Sequence, residues 1–292
     1  MFVKSFKSAL PMVAGDNASV ASLNEFNEFP IDFVPAEGSQ AHTIGLVRFE
    51  DDGKYVKEFS DLELLQVGQS VKKVDKKKVK RLLNERLEEI RVDMESQGQE
   101  FFVAKEDMKV LKADIEFGLL PETEPEDFFN YVVLDKTTNL FYVINGSKKV
   151  AEAITCFFRN VLGTFPSVGF SVHEEAIVKG FGTLLKEHEA DRLTLGNYIK
   201  LEDSEGVVVW TKESLYDSKA IELKEDGKDV VAIGLEYDGV LEFVVDKELK
   251  LSKLRFPKYF NDDEGSIEAS TLLCFNEIRG LMADLTKATI LK

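Results

Sequence analysis

Residues 72–97 read KKVDKKKVKRLLNERLEEIRVDMESQ. Val79, Leu82, Leu83, Leu87, Ile90 and Met94 fall at i, i+3, i+4, i+8, i+11 and i+15, one stripe on a 3.6-residue repeat. The spacing predicts a long helix over 75–97, with Asp75 as its N-cap. With Val79 at the centre of the stripe, Lys77 and Arg81 project from the opposite face, and Lys78 and Lys80 flank them. Lys76, Lys77 and Lys78 occupy the first turn, the positive end of the helix dipole, where each cation costs on the order of 0.3–1 kcal/mol at low salt. Folding alone would favour Asp or Glu there, whereas a helix start carrying lysines suits an external phosphate. The same run also reads as a solvated face neutralised by Glu85, Glu88 and Glu89. The sequence leaves the two readings open.

Outward from this helix the chain alternates in character. A second helix is expected over 104–117, with Met108, Leu111 and Ile115 inward, and Leu119-Leu120-Pro121 ends it because proline cannot continue a helix. On the N-terminal side, Phe2, Phe6, Phe26, Phe29 and Phe33 are expected core anchors, and Gly38-Ser39-Gln40 a turn. Strands 43–50 and 54–59 are joined by Asp51-Asp52-Gly53, a hairpin signal, and a third strand covers 62–67. After the second helix, Glu122 to Asp127 reads as an exposed acidic loop. Strands 129–134 and 140–144 then form a hairpin, and Ser147 caps a helix to Val161. A helix over 174–186 precedes strands 194–201, 207–211, 229–237 and 240–246, with 249–256 as one more. A last helix, 266–287, carries Cys274, Ile278, Leu281, Met282 and Leu285 on one face. Hairpins and separated helices together predict an α+β fold with mainly antiparallel sheets.

The bulk numbers exclude several classes. A chain of 292 residues with 44% hydrophobic and 31% charged residues is an ordinary globular composition. No apolar stretch reaches membrane-spanning length, and the first residues lack a signal-peptide core. Cys156 and Cys274 are expected as two buried free thiols in a reducing cytoplasm. The net charge of −16 opposes DNA binding globally. Any nucleic-acid role therefore rests on local segregation of charge, which residues 72–81 display.

Signatures of catalysis are missing. There is no Walker-type loop and no dinucleotide fingerprint, since Gly180-Phe181-Gly182 lacks the third glycine. His42, His173 and His188 are widely separated and are assigned no catalytic or metal role. Ser and Cys nucleophile motifs are absent, and acidic abundance alone does not make a two-metal nuclease site. The chain is expected not to be an enzyme and to use no cofactor.

The basic helix and the segments after it resemble the RdgC family. The motifs that carry the likeness keep their order over much of the chain. They are Gly38-Ser39-Gln40 with Gly45, Leu119-Leu120-Pro121, Ser147 to Glu152, Leu162-Gly163-Thr164-Phe165-Pro166, Gly206-Val207-Val208 leading to Leu215, Gly227 to Val230, and Leu251 to Phe256. The resemblance implies an RdgC-like horseshoe subunit with a helical tip and a β-rich base. Its parts would be a central domain (1–70 and 129–175), a tip (71–128), a base (176–257) and a C-terminal helix packed back on the body (258–292). It further implies a ring-shaped homodimer that binds duplex DNA, and also single-stranded DNA, without sequence preference. Such a protein would restrain RecA-type strand exchange in the cytoplasm, at the nucleoid and away from membranes.

The family's basic, aromatic finger after Leu-Leu-Pro is replaced here by Glu122-Thr123-Glu124-Pro125-Glu126-Asp127, and Phe128-Phe129 is read as core. A Lys-Lys-Gln of the family falls on Thr211-Lys212-Glu213, so Lys212 alone carries over. The expected DNA-binding set is Lys72, Lys73, Lys76, Lys77, Lys78, Lys80, Arg81 and Lys212. The competing reading is an acidic protein-interaction module on the same scaffold, acting on a recombinase or other basic partner.

Overall fold

The computed structural model describes residues 6–14, 22–212, 214–216, 219–257, 260 and 267–290. The expected core anchor Phe2, the helix start at Ser266 and the base residue Glu213 lie outside these. The chain is α+β with a large antiparallel sheet and several helices. In order, the first elements are β1 (Ser8–Ala14), β2 (His42–Val47), β3 (Val56–Phe59), β4 (Leu62–Lys72), α1 (Lys76–Ser96), α2 (Lys105–Leu119), β5 (Pro125–Asp135) and β6 (Leu140–Ile144). Then come α3 (Lys148–Leu162), β7 (Ser167–Gly169), α4 (Glu174–Glu187), β8 (Glu189–Ala190), β9 (Leu193–Glu202) and β10 (Val207–Thr211). The last are α5 (Lys219–Glu225), β11 (Asp229–Tyr237), β12 (Leu241–Asp246), β13 (Leu251–Arg255) and α6 (Ile267–Thr289).

Two compact units divide the chain. The first holds Met1–Phe29, Phe49–Gln66 and Asn130–Lys292, and the second Pro30–Arg48 and Val67–Phe129. In the first unit the sheet order is β10-β9-β11-β12-β13-β1-β6-β5. Period-two alternation places side chains on opposite faces. Tyr142 and Ile144 of β6 enter the core beneath α4 and α6 with Ile177, Phe181, Phe275 and Ile278. Phe141 faces the other way and meets Phe165 at 5.5 Å, and Phe165 meets Phe158 of α3 at 5.1 Å. Both faces of the central strands are thus covered by helices.

Strand β1 was not expected, and it carries Pro11, a residue that interior strands normally exclude. On one side β1 pairs with β6 from Ala9 to Val13. On the other it pairs with β13 through Ser8 and Ala9, then with β7 from Met12 to Ala14. Pro11 sits in the gap between these two partners, where a residue without an N–H is tolerated. The short helix α5 was not foreseen either.

Other expectations are corrected. Asp51-Asp52-Gly53 forms a turn, with Phe49 N donating to Lys54 O at 2.8 Å. The flanking strands β2 and β3, however, each pair with β4. Phe6 and Phe26 are buried, but Phe29 is exposed and Phe33 half-buried. Cys274 is buried, its thiol pushed up to about 12 by desolvation, whereas Cys156 is exposed.

In the second unit α1 and α2 pack on one another. Of the α1 stripe only Val79 is fully buried, the other five residues being half-covered. On α2, Leu111 and Ile115 are half-covered and Met108 is exposed. Two helices sharing one stripe cannot enclose it.

Candidate nucleic-acid interface

The basic run belongs to the second unit, at the exit of β4 and the start of α1. Asp75 is the N-cap, with Oδ1 accepting from Lys77 N at 2.8 Å. No acidic residue occupies the first turn, so the exposed N–H groups and the lysines there add positive potential of the same sign.

The seven cations of the run divide into three kinds. Lys72 is only 8% exposed, and its Nζ donates to Gly38 O at 2.8 Å and Leu120 O at 3.0 Å. Its charge is spent inside the unit. Lys73, Lys78 and Arg81 are paired: Lys73 with Glu126 at 2.5 Å, Lys78 with Glu122 at 2.8 Å, and Arg81 with Glu85 at 2.9 Å. Lys73 also lies over the Phe128 ring at 5.0 Å, a cation–π contact. The Lys78 ammonium holds the Glu122 carboxyl below its ordinary value. Lys76, Lys77 and Lys80 are exposed and ion-pair with no carboxylate among the described residues.

The acidic segment thus differs from the expected loop. Leu120–Glu122 is a 3-10 turn and β5 starts at Pro125, an acceptable first residue of a strand. Phe128 and Phe129 are not core: they are 44% and 51% exposed. Phe129 meets Phe33 edge-on at 5.4 Å. Of the glutamates named as neutralising, only Glu85 reaches the run. Glu88 and Glu89 pair with Arg91 and Arg86. The roles of Glu122 and Glu126 were missed, because these pairs join residues 44 and 53 apart in the chain. All three pairs are solvent-exposed, and such pairs exchange readily in water. A phosphate oxygen can replace a glutamate oxygen on Lys73, Lys78 or Arg81.

Lys212 lies in the first unit, just past β10. Its N donates to Asn197 O at 2.8 Å, and its φ is +65°. Among the described residues, no group of three or more His, Cys, Asp or Glu is placed to hold a metal ion, and no helix is long and apolar enough to cross a membrane.

Comparison with known proteins gives a consistent picture. A family model described as "Putative exonuclease, RdgC" matches residues 20–290. The recombination-associated protein RdgC of Pseudoalteromonas translucida (strain TAC 125) is 23% identical over 268 residues, 87% of each chain. Its namesake from Actinobacillus succinogenes is 24% identical over 180 residues, 61% of this chain and 58% of the relative. That of Mannheimia succiniciproducens is 26% identical over 190 residues, 63% and 61%. The last two matches span less than two thirds of the relatives' length.

Proposed function

The chain belongs to the RdgC family, whose relatives here are recombination-associated proteins, and from that premise we propose that it binds DNA without sequence preference and modulates homologous recombination. The observation that supports this most is the trio Lys76, Lys77 and Lys80. On a chain of net charge −16, carboxylates are plentiful, yet three cations at one helix start ion-pair with none among the described residues. Phosphate contacts need no base readout, so a cationic helix start suffices for sequence-independent binding. Within this reading the subunit is a three-part horseshoe, and two subunits close a ring that restrains RecA-type strand exchange. Lys73, Lys78 and Arg81 join the contact by giving up their glutamates.

The test is fluorescence anisotropy of a labelled duplex across a salt series. Each neutralised phosphate contributes a slope of about −0.9 in log K against log[salt]. The variant K76E/K77E/K80E/R81E is expected to abolish binding while its thermal melt stays cooperative. Unchanged affinity in that variant overturns the assignment of the helix. The same reactions with magnesium address the nuclease wording of the family description, and a shortened duplex would replace binding by cleavage.

A second reading has its own support. Glu122 and Glu126 already neutralise two lysines, and Glu124 and Asp127 beside them are exposed. An acidic module that engages a basic protein partner would look like this. Absence of duplex and single-strand binding even at low salt favours it.

A further inference from the structure

The acidic segment between α2 and β5 is held on a set backbone. Two prolines bracket it, Pro121 in the 3-10 turn Leu120–Glu122 and Pro125 at the first position of β5. Proline fixes φ and leaves the chain few states to lose. Between them Thr123 closes the turn. Its N donates to Leu120 O at 3.1 Å and its hydroxyl to Leu119 O at 2.8 Å. Glu122 and Glu126 therefore need to order only their side chains to reach Lys78 at 2.8 Å and Lys73 at 2.5 Å. The Phe128 ring, 5.0 Å from the Lys73 ammonium, adds a further hold on that lysine. All of these residues belong to the second unit.

Folding gains little from the two ion pairs. Their four side chains are between 42% and 69% exposed, and pairs so exposed add little to stability. What they change is the number of cations on offer. The first turn of α1 has no acidic residue, and Glu122 brings a carboxylate to it from 44 residues away. With both pairs closed, the exposed lysines left without a carboxylate among the described residues are Lys76, Lys77 and Lys80. With both open, Lys73 and Lys78 join them. Glu124 and Asp127, exposed in the same segment and ion-paired with no cation among the described residues, add negative potential there.

We propose that Glu122 and Glu126 form an autoinhibitory latch, an internal stand-in for phosphate that occupies Lys78 and Lys73 until a dense polyanion displaces it. The latch rests on the reading that the α1 start holds DNA, and it adds the regulation of that surface. An isolated anion must compete with a carboxylate already in place. A duplex carries one charge per about 1.7 Å of axis and opens both pairs together. The latch thus sets a threshold of charge density without reading any base.

The experiment compares the full chain with E122Q/E126Q, which keeps side-chain length and removes both charges. Each exposed pair is worth up to about fivefold in an equilibrium constant. Duplex binding, read by anisotropy, should therefore tighten by roughly tenfold in the variant, and the thermal melt should match the parent's. In a K73M/K78M background the latch has nothing to hold, and the same glutamine pair should lose most of its gain. A gain just as large in that background means that the acids act by general repulsion, and it overturns the latch. A lower melting temperature at parental affinity also overturns it and makes the pairs structural. Inorganic tripolyphosphate, titrated by calorimetry, is the probe that needs no DNA, and it should bind E122Q/E126Q more tightly than the parent. That gain with no duplex binding by either chain would keep the latch and remove the proposed function. Equal duplex binding by the two chains would keep the function and remove the latch.

Discussion

Arg279 of α6 grips Asp135 at the end of β5 with two hydrogen bonds, Nε to Oδ2 at 2.8 Å and Nη2 to Oδ1 at 2.9 Å. The Asp135 side chain is 1% exposed, and its Oδ1 also accepts from Thr137 N at 2.9 Å. The pair ties the C-terminal helix to the β5–β6 turn, 144 residues away in sequence. Removing one partner of a buried pair strands the other charge, at a cost of about 3–5 kcal/mol. Arg279→Met is expected to lower stability by about 3 kcal/mol in urea denaturation. Asp135→Asn should also destabilise, and the double variant should lose less than the sum. Additive losses would show that the two groups act independently.

Gly280, the next residue on α6, faces Tyr237 of β11. A Cβ there would lie 2.5 Å from the Tyr237 hydroxyl oxygen. That hydroxyl has no hydrogen-bond partner among the described residues. Alanine in a helix interior normally gains about 1 kcal/mol over glycine, but the clash reverses the sign, since overpacking costs about 1–3 kcal/mol. Gly280→Ala should lower the melting temperature, and Tyr237→Phe should recover most of the loss in the double variant. A stabilised Gly280→Ala single variant would refute the close approach.

Acidification should weaken the same corner of the fold. Asp61 accepts from the Thr137 hydroxyl and from Arg279 Nη2. These donors, Thr137 first, hold its carboxyl below the ordinary 3.8. Lys136 holds Glu58 below 4.5. A carboxyl with a depressed folded value contributes stability above its unfolded value and loses it as pH falls through the folded one. Unfolding free energy should therefore decline below about pH 4.5. Asp61→Asn should flatten the lower part of that decline in urea titrations run at successive pH values. An identical acid limb in the variant would contradict this source.

Much of the architecture was legible because it is written locally. Asp75 and Ser147 announced their helices as caps, and both accept the expected first-turn N–H. What was illegible depended on distant partners. Strand β1 went unread, and the gap between β13 and β7 that accommodates its Pro11 exists only in the fold. Phe128 and Phe129 suggested core by residue type, but they stand at the start of β5, where the burial pattern begins with five exposed residues. The basic run itself could be read from sequence. Its division into free, paired and buried cations could not, because Glu122, Glu126 and the carbonyls of Gly38 and Leu120 reach it only through the fold.

Lys72 makes that division testable. A run of lysines suggests equal phosphate ligands, yet the Lys72 ammonium is buried between two carbonyl oxygens of its own unit. Hydrogen bonds from a charged donor contribute about 1.5–3 kcal/mol each, and acceptors left buried without partners are costly. Lys72→Met keeps the aliphatic stem and removes the donor. It should therefore destabilise the protein by about 2 kcal/mol or more in urea denaturation. Duplex affinity of the folded variant should stay unchanged, and its salt slope should match the parent's. Lys77→Met should do the opposite, leaving stability within about 0.5 kcal/mol as for an ordinary surface change and reducing the salt slope by about one. A loss of salt slope in Lys72→Met at unchanged stability would return that residue to the surface and reverse its assignment.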